Sequence, residues 1–104
     1  MYAIAFDLNT DNLKANYHND SYLNAYGDIA KFLQDRGFTH PQGSLYFGDP
    51  ERVNAVTCVL AVQAMARSFP WFVPSVTDIR MLRIEDNNDL NIAIRGLTPV
   101  EPPA

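Results

Sequence analysis

The fold is decided by the first stretch of the chain, Tyr2-Ala3-Ile4-Ala5-Phe6-Asp7-Leu8. Large and small side chains alternate along it, and this period of two predicts a β-strand. One face carries the bulky residues Tyr2, Ile4, Phe6 and Leu8, and the other carries Ala3, Ala5 and Asp7. The bulky face predicts core packing, and the small face predicts a surface that another backbone, a metal or a substrate approaches closely. The alternative for Asp7 is a cap on the loop that follows it.

Composition restricts the class of protein. A chain of 104 residues, 47% hydrophobic and 19% charged, fits one compact domain. The net charge of −4 opposes bulk electrostatic attraction to nucleic acid, so any RNA contact must be local. The sequence shows no apolar run of the ~20 residues needed to span a bilayer, and no secretory signal. With the lone Cys58, these features predict a cytoplasmic protein without membrane contact.

Later segments complete a fold pattern. The chain begins with a predicted strand over 2–8 and a largely polar loop with one helical turn over 9–19. A helix follows, which is capped at Asp20 or Ser21 and stopped by Gly37. The remaining predicted elements are strands over 38–40 and 44–47, a helix that begins at Asp49-Pro50, and a strand over 76–84. This order predicts the α+β class and the ferredoxin-like split βαβ sandwich, an antiparallel sheet with two helices on one face. Residues 1–86 form this domain, and 87–104 form a C-terminal extension with a short helix or strand and a disordered proline-rich tail.

The sheet face without helices is the predicted functional surface. It carries Asp7 and its small neighbours, and Ser44 and Tyr46 join it if Leu45 and Phe47 point toward the helices. Small residues on an open sheet favour close contact between two copies, so we predict a homodimer through the sheet side. The two Asp7 carboxylates then approach the twofold axis, where sharing a proton or a cation such as Mg²⁺ would offset their repulsion.

Few other groups in the sequence suggest chemistry. Nucleotide-loop, HExxH and CxxC motifs are missing from the sequence. Around Gly43, the side chains of Gln42 and Ser44 offer polar contacts for a phosphate or a ribose, although turn formation alone also explains this segment. Arg80 is a candidate to offset phosphate charge, and the alternative is an ordinary solvated strand residue.

Several short segments resemble, in order, the virulence-associated protein D (VapD) family of ribonucleases, which is related to the fold of CRISPR-associated protein two. The resemblance runs from Met1 to about Asp86. The matching segments are Met1 to Leu8, the helix with Tyr26 and Asp28, Gly37-Phe38, Gln42-Gly43-Ser44-Leu45-Tyr46, and Trp71-Phe72 before Val76-Thr77-Asp78-Ile79-Arg80.

This resemblance implies a homodimer that cleaves RNA endonucleolytically, with Asp7 as the catalytic residue. In the wider related fold a serine that begins the third strand is also linked to activity, and Ser44 matches it. Gln42, Tyr46 and Arg80 are the predicted substrate contacts, and both Mg²⁺-dependent and metal-free cleavage are left open. The family also implies a toxin held by a small antitoxin protein.

Two other functions compete with this one. The first is a non-catalytic ferredoxin-like dimer that binds an antitoxin or a CRISPR-type partner. The second is a dimer that senses a small molecule, because this fold hosts many functions.

Overall fold

The computed structural model describes residues 1–100. The last four residues of the predicted disordered tail, 101–104, lie outside the described residues. The elements in chain order are β1 (Tyr2–Leu8), α1 (Thr10–Asn16), α2 (Asn24–Gln34), β2 (Phe38–Gln42), β3 (Leu45–Gly48), α3 (Ala55–Ser68), α4 (Phe72–Ser75), β4 (Val76–Arg83) and α5 (Asn91–Ile94).

The four strands form one antiparallel sheet in the order β2-β3-β1-β4. The first strand is therefore central, between the third and the last, as the split βαβ connectivity requires. Residues of α2 and α3 pack with the bulky side of β1 in a single core. The predicted α+β, ferredoxin-like fold is confirmed. The core consists of Ile4, Phe6, Leu13, Tyr17, Ala25, Ile29, Leu33, Phe38, Tyr46, Val53, Cys58, Ala61, Met65, Trp71 and Phe72.

Aromatic rings support β1 from the side opposite Asp7. The Phe6 ring stacks on Tyr46 with centroids 5.9 Å apart and meets Phe72 edge-on at 6.1 Å. Such pairs each contribute about 0.5–1.5 kcal/mol beyond the area they bury. Because Phe6 immediately precedes Asp7, this packing fixes the backbone that carries the acid.

The second long helix, α3, begins later than predicted. Asp49 and Pro50 lie in a turn, in which Asp49 Oδ1 accepts from the Glu51 N–H at 2.8 Å. The helix instead starts after Asn54, whose side chain accepts from the Thr57 N–H at 2.9 Å while the Thr57 Oγ1 accepts from the Asn54 N–H at 2.8 Å. A reciprocal capping box satisfies two backbone donors, whereas Asp49 offers only a turn contact.

Two further predictions about helices are corrected. The segment after β1 is a helix over seven residues, α1, capped by Asn9, whose Oδ1 accepts from the Asn12 N–H at 2.8 Å. Helix α2 starts at Asn24 and not after Asp20 or Ser21, because a turn that brings the Asn24 N–H to the Ser21 carbonyl at 2.9 Å precedes it.

The C-terminal extension contains the short helix α5, which decides between the predicted helix and strand. Its apolar side chains are exposed, including Leu90, Ile92 and Ile94. Among the helices within residues 1–100, none has both the length and the apolar character needed to cross a membrane.

Candidate active site

Asp7 lies on the open face of the sheet and is exposed, as the alternation of β1 predicts. Its backbone is fixed, since Thr77 Oγ1 donates to the Asp7 carbonyl at 3.2 Å and the Asn9 N–H donates to the Ser75 carbonyl at 2.7 Å. The pairing of β1 with β4 shifts register between Asp7 and Leu8. Bulges of this kind re-aim side chains and are common beside active sites. Among residues 1–100, the Asp7 carboxylate forms no hydrogen bond or ion pair.

The turn between β2 and β3 brings polar groups to the same place. Gly43 adopts a φ of 44°, a left-handed conformation that favours glycine. His40 stacks on Tyr46 with centroids 4.2 Å apart, and its Nε2 donates to the Gly43 carbonyl. The Ser44 carbonyl accepts from the Phe6 N–H at 3.2 Å. These contacts join the turn to the strand that ends in Asp7.

A shallow cavity of about 420 Å³ forms where β1, this turn and β4 meet. It brings together three of the predicted site residues, namely Asp7, Ser44 and Gln42. Its other lining residues are Ala5, Phe6, Gly43, Leu45 and Asp78. The cavity is open on one side, and its lining residues include one with a carboxylate, one with a hydroxyl and one with an amide, a set that suits a phosphodiester and its ribose.

Tyr46 does not belong to this surface. The prediction that it faces the open side with Ser44 is wrong, because Tyr46 pairs with Ile4 across the sheet and is 1% exposed. Burial also raises the pKa of its phenol. Leu45 and Phe47 face outward instead, since they pair with Ala5 and Ala3. A buried ring offers no surface to RNA. Tyr46 instead stacks on His40 and on Phe6, which lines the cavity.

The last strand adds a residue that the sequence analysis did not select. Asp78 pairs with Asp7 in the register of β1 and β4, so both carboxylates stand on the open face. Arg80 Nε donates to both oxygens of Asp78, at 3.0 and 3.1 Å, and this contact raises the pKa of Arg80. The Arg80 guanidinium is therefore close to the cavity, but it forms an ion pair with Asp78. The sequence signal was the acid near the start of the last strand.

Among residues 1–100, two acidic residues line this cavity, Asp7 and Asp78. In the part of the chain that the structure describes, no three His, Cys, Asp or Glu side chains cluster in a way that would hold a metal ion. Asp7 and Asp78 fit the manner in which proteins bind Mg²⁺, through one or two carboxylates completed by water and substrate phosphate. The donor set is thus suitable for Mg²⁺ but incomplete without a substrate.

The fold and this cavity define a ferredoxin-like domain with an acidic candidate catalytic centre on its open sheet face. The chain is 51% identical over 94 residues to endoribonuclease VapD 2 of Riemerella anatipestifer, covering 90% of this chain and 99% of that protein. It is 53% identical over 95 residues to an endoribonuclease VapD homolog of Helicobacter pylori, covering 91% and 97%. A third relative, endoribonuclease VapD of Dichelobacter nodosus, is 38% identical over 96 residues, covering 92% of this chain and 99% of that protein.

No family model matches the chain. The chain belongs to the VapD endoribonuclease family, and the resemblance noted from its sequence is confirmed.

Proposed function

We propose that this endoribonuclease, a member of the VapD family, cleaves RNA with Asp7 as its catalytic residue. The observation that supports the assignment is the shared cavity, which the exposed Asp7 lines together with Ser44 and Gln42. An acid fixed by a rigid strand but without a protein partner is available to a substrate. Ala5 beside it leaves room for the RNA backbone.

In this mechanism Asp7 accepts the proton of the attacking hydroxyl, either the ribose 2′-OH or water, as its oxygen bonds to phosphorus. The bond from phosphorus to the leaving ribose oxygen breaks, and that oxygen takes a proton from water. The Ser44 hydroxyl donates a hydrogen bond to a phosphate oxygen, and the Gln42 amide orients the ribose. Both positions depend on the Gly43 turn, which is joined to β1 through the bond between Phe6 and Ser44. The sheet and the turn thus hold the acid and the phosphate contact in a fixed relation.

A divalent cation is the second part of the proposal. Asp7 would hold Mg²⁺, with Asp78 as the neighbouring carboxylate. When bound, the ion would offset charge on the phosphate and acidify a coordinated water. The competing route without metal uses Asp7 as the base alone, and the two routes differ in their need for Mg²⁺ and in the ends they leave on the RNA.

The test uses purified protein, a fluorescently labelled structured RNA, and either Mg²⁺ or EDTA. We expect Asp7→Ala and Asp7→Asn to lower the cleavage rate at least about 100-fold, within the range that general base catalysis contributes. Full activity in Asp7→Ala would refute the assignment. Mapping the product ends separates the two nucleophiles, because 2′-OH attack leaves a 2′,3′-cyclic phosphate and water does not. Glu85→Ala, in an exposed acid away from the cavity, is the matched control.

We also propose that the protein is a homodimer formed through the open sheet face. The support is the exposed apolar surface on this side, which includes Leu82, together with the small residues of β1. In such a dimer the cleft between two sheets would take the RNA. Sedimentation velocity at micromolar concentration should give the mass of two chains, and a monomer that cleaves RNA fully would contradict this proposal.

The cellular role we propose is that of a cytoplasmic toxin restrained by a small antitoxin protein. The support for this role is the family resemblance described from the sequence, because members of that family can act as toxins held by a small antitoxin. Induced expression should arrest growth, whereas Asp7→Ala should not. Arrest by both proteins would favour the alternative, a non-catalytic module that acts by binding an antitoxin or a CRISPR-type partner.

A further inference from the structure

A second cavity of about 570 Å³ lies on the open face, next to the candidate active site. The two cavities share Gln42 as a lining residue. Leu45 lines the first and Phe47 the second, and these residues are two positions apart on the same face of β3. Two positions along a strand span about 7 Å, which one extended nucleotide can bridge.

The chemistry of this second cavity differs from that of the first. Its aromatic residue is Phe47, which is half-buried in β3 and pairs with Ala3. The C-terminal extension closes the other side with the amides of Asn87 and Asn88 and the apolar side chain of Leu90. Proteins commonly bind an unstacked base by stacking it on a flat aromatic ring and by contacting its edge with side chains that donate and accept hydrogen bonds.

Asp89 adds a negative charge to the second cavity and so affects which part of a nucleotide can bind there. Its Oδ1 accepts from the Asn91 N–H at 2.7 Å and from Asn91 Nδ2 at 2.8 Å. These bonds lower the pKa of Asp89, so it is negatively charged at neutral pH. An anionic lining residue repels phosphate. In the first cavity Ser44 and a bound cation would offset such repulsion, whereas the described residues that line the second cavity include no hydroxyl and no cationic side chain. The second cavity therefore favours an uncharged base over the sugar-phosphate backbone.

We propose that the cavity between Phe47 and residues 87–91 is a nucleobase subsite, in which a base next to the scissile phosphate stacks on Phe47. The inference rests on the proposed active site at Asp7, since that site defines where the phosphate lies. It gives the C-terminal extension a role in substrate recognition.

The first test combines a protein change with a substrate change. RNA substrates carry a single cleavage site, and each flanking base is replaced in turn by an abasic ribose. We expect Phe47→Ala to lower kcat/KM about 5- to 100-fold on intact RNA, the range found for loss of one stacked base. One abasic position should cause a similar loss with the wild-type protein and little further loss with Phe47→Ala. Equal losses in both proteins at every position would overturn the proposal.

Three controls separate stacking from folding and assembly. Phe47→Tyr retains an aromatic ring and should restore most of the cleavage rate. Leu60→Ala removes an exposed apolar side chain of α3, on the side of the sheet away from both cavities, and should leave the dependence on the flanking base unchanged. Sedimentation velocity should give the same mass for Phe47→Ala as for the wild type. A lower mass would show that Phe47 lies between two copies and would overturn the subsite.

A binding measurement makes the test independent of catalysis. In the Asp7→Asn background, RNA carrying 2-aminopurine at the critical position should lose fluorescence on binding, and this quenching should require an aromatic residue at position 47. Fluorescence unaffected by Phe47→Ala would reject the subsite. Full activity of Asp7→Ala would instead reject the proposed active site, while the quenching would still report on Phe47.

Discussion

Asp7 and Asp78 stand opposite each other on adjacent antiparallel strands, and Arg80 binds both oxygens of only the second acid. Like charges directly opposite each other on a sheet are destabilising, and Arg80 reduces this repulsion by offsetting the charge of Asp78. The arrangement leaves Asp7 available to a substrate. It also keeps Arg80 engaged by a protein carboxylate.

Releasing Arg80 should strengthen RNA binding. Asp78→Asn removes the partner of the guanidinium and one negative charge from the face, so we expect an uncleavable RNA to bind about 3- to 10-fold more tightly in EDTA, as one added phosphate contact would give at moderate salt. Arg80→Ala should show no such gain. Fluorescence anisotropy provides the measurement. Arg83→Ala, in an exposed pair with Glu85 at 3.7 Å, is the matched control. Weaker binding by Asp78→Asn would contradict this role for Arg80.

Binding should depend only weakly on salt. The chain carries a net charge of −4, and Arg80 beside the cavity is paired. With one or two phosphate contacts, log Kd against log salt should have a slope of roughly 0.7 to 1.5, or about a threefold loss between 50 and 200 mM for a single contact. Titrations at several salt concentrations measure this slope. A slope above about 4 would mean that RNA contacts a basic surface away from the cavity.

Replacement of Gly43 should impair catalysis more than stability. Its φ of 44° disfavours β-branched residues, although a Cβ there would meet no atom within 4 Å. Gly43→Val should therefore move Gln42 and Ser44 and lower the cleavage rate at least about 10-fold, with a loss of about 1–3 kcal/mol in stability. Gly43→Asn, which tolerates this conformation, should retain more activity. Equal rates for the two variants would show that the turn does not position the site.

Two other glycines should respond to alanine in opposite directions. A Cβ at Gly48 would lie 2.7 Å from Val53 Cγ1 and 3.0 Å from the Tyr2 carbonyl, so Gly48→Ala should lower the free energy of unfolding by about 1–3 kcal/mol. Gly27 lies in helix α2 with open space around it, so Gly27→Ala should raise stability by about 0.5–1 kcal/mol. Urea unfolding tests both. A stable Gly48→Ala variant would disprove the close packing of β3 against Val53.

Tyr17 joins the end of α1 to helix α2, because its hydroxyl donates to Asp28 Oδ2 at 2.7 Å. Tyr17→Phe removes this bond to a partly buried carboxylate and should cost about 1.5 kcal/mol. Tyr26→Phe, in a ring that is 37% exposed, is the control and should cost less. An equal cost in the two variants would argue against the bond.

The same tyrosine should affect stability at alkaline pH. Burial, reinforced by the bond to Asp28 and its charge, raises the pKa of Tyr17. The folded state therefore holds the phenolic proton more tightly than the unfolded state, whose pKa is about 10. This stabilisation is complete below pH 10 and is lost as the pH rises through the higher folded value. In Tyr17→Phe the free energy of unfolding should fall less steeply above pH 10, and an unchanged slope would count against the mechanism.

Sequence alone placed Asp7 correctly because β1 has large residues on one face and small ones on the other. Alternation fails for β3, where Leu45, Tyr46 and Phe47 are all large, so the hydrophobic pattern does not choose a face. The register set by the pairing with β1 makes that choice. The pattern also placed the start of α3 too early, at Asp49-Pro50, because the reciprocal bonds of Asn54 and Thr57 that begin the helix are not visible in a hydrophobic pattern.

The relation of Asp78 to Asp7 was harder to predict. It depends on the register between the first and the last strand, which no local pattern encodes. The second cavity on the open face has the same origin, because Phe47 meets the C-terminal extension only in the folded chain. Local patterns therefore predict the fold and the position of Asp7 on the open face, whereas the surroundings of Asp7 depend on long-range pairing.

The central position of β1 has a consequence during synthesis. The strand that carries Asp7 is made before both of its neighbours in the sheet, β3 and β4. Because a domain of this kind folds as a unit, the carboxylate emerges without the turn and the acidic neighbour that surround it in the finished protein. Until β4 has been added, a nascent chain would therefore carry Asp7 outside its assembled cavity, and the proposed cleavage would be confined to the folded domain.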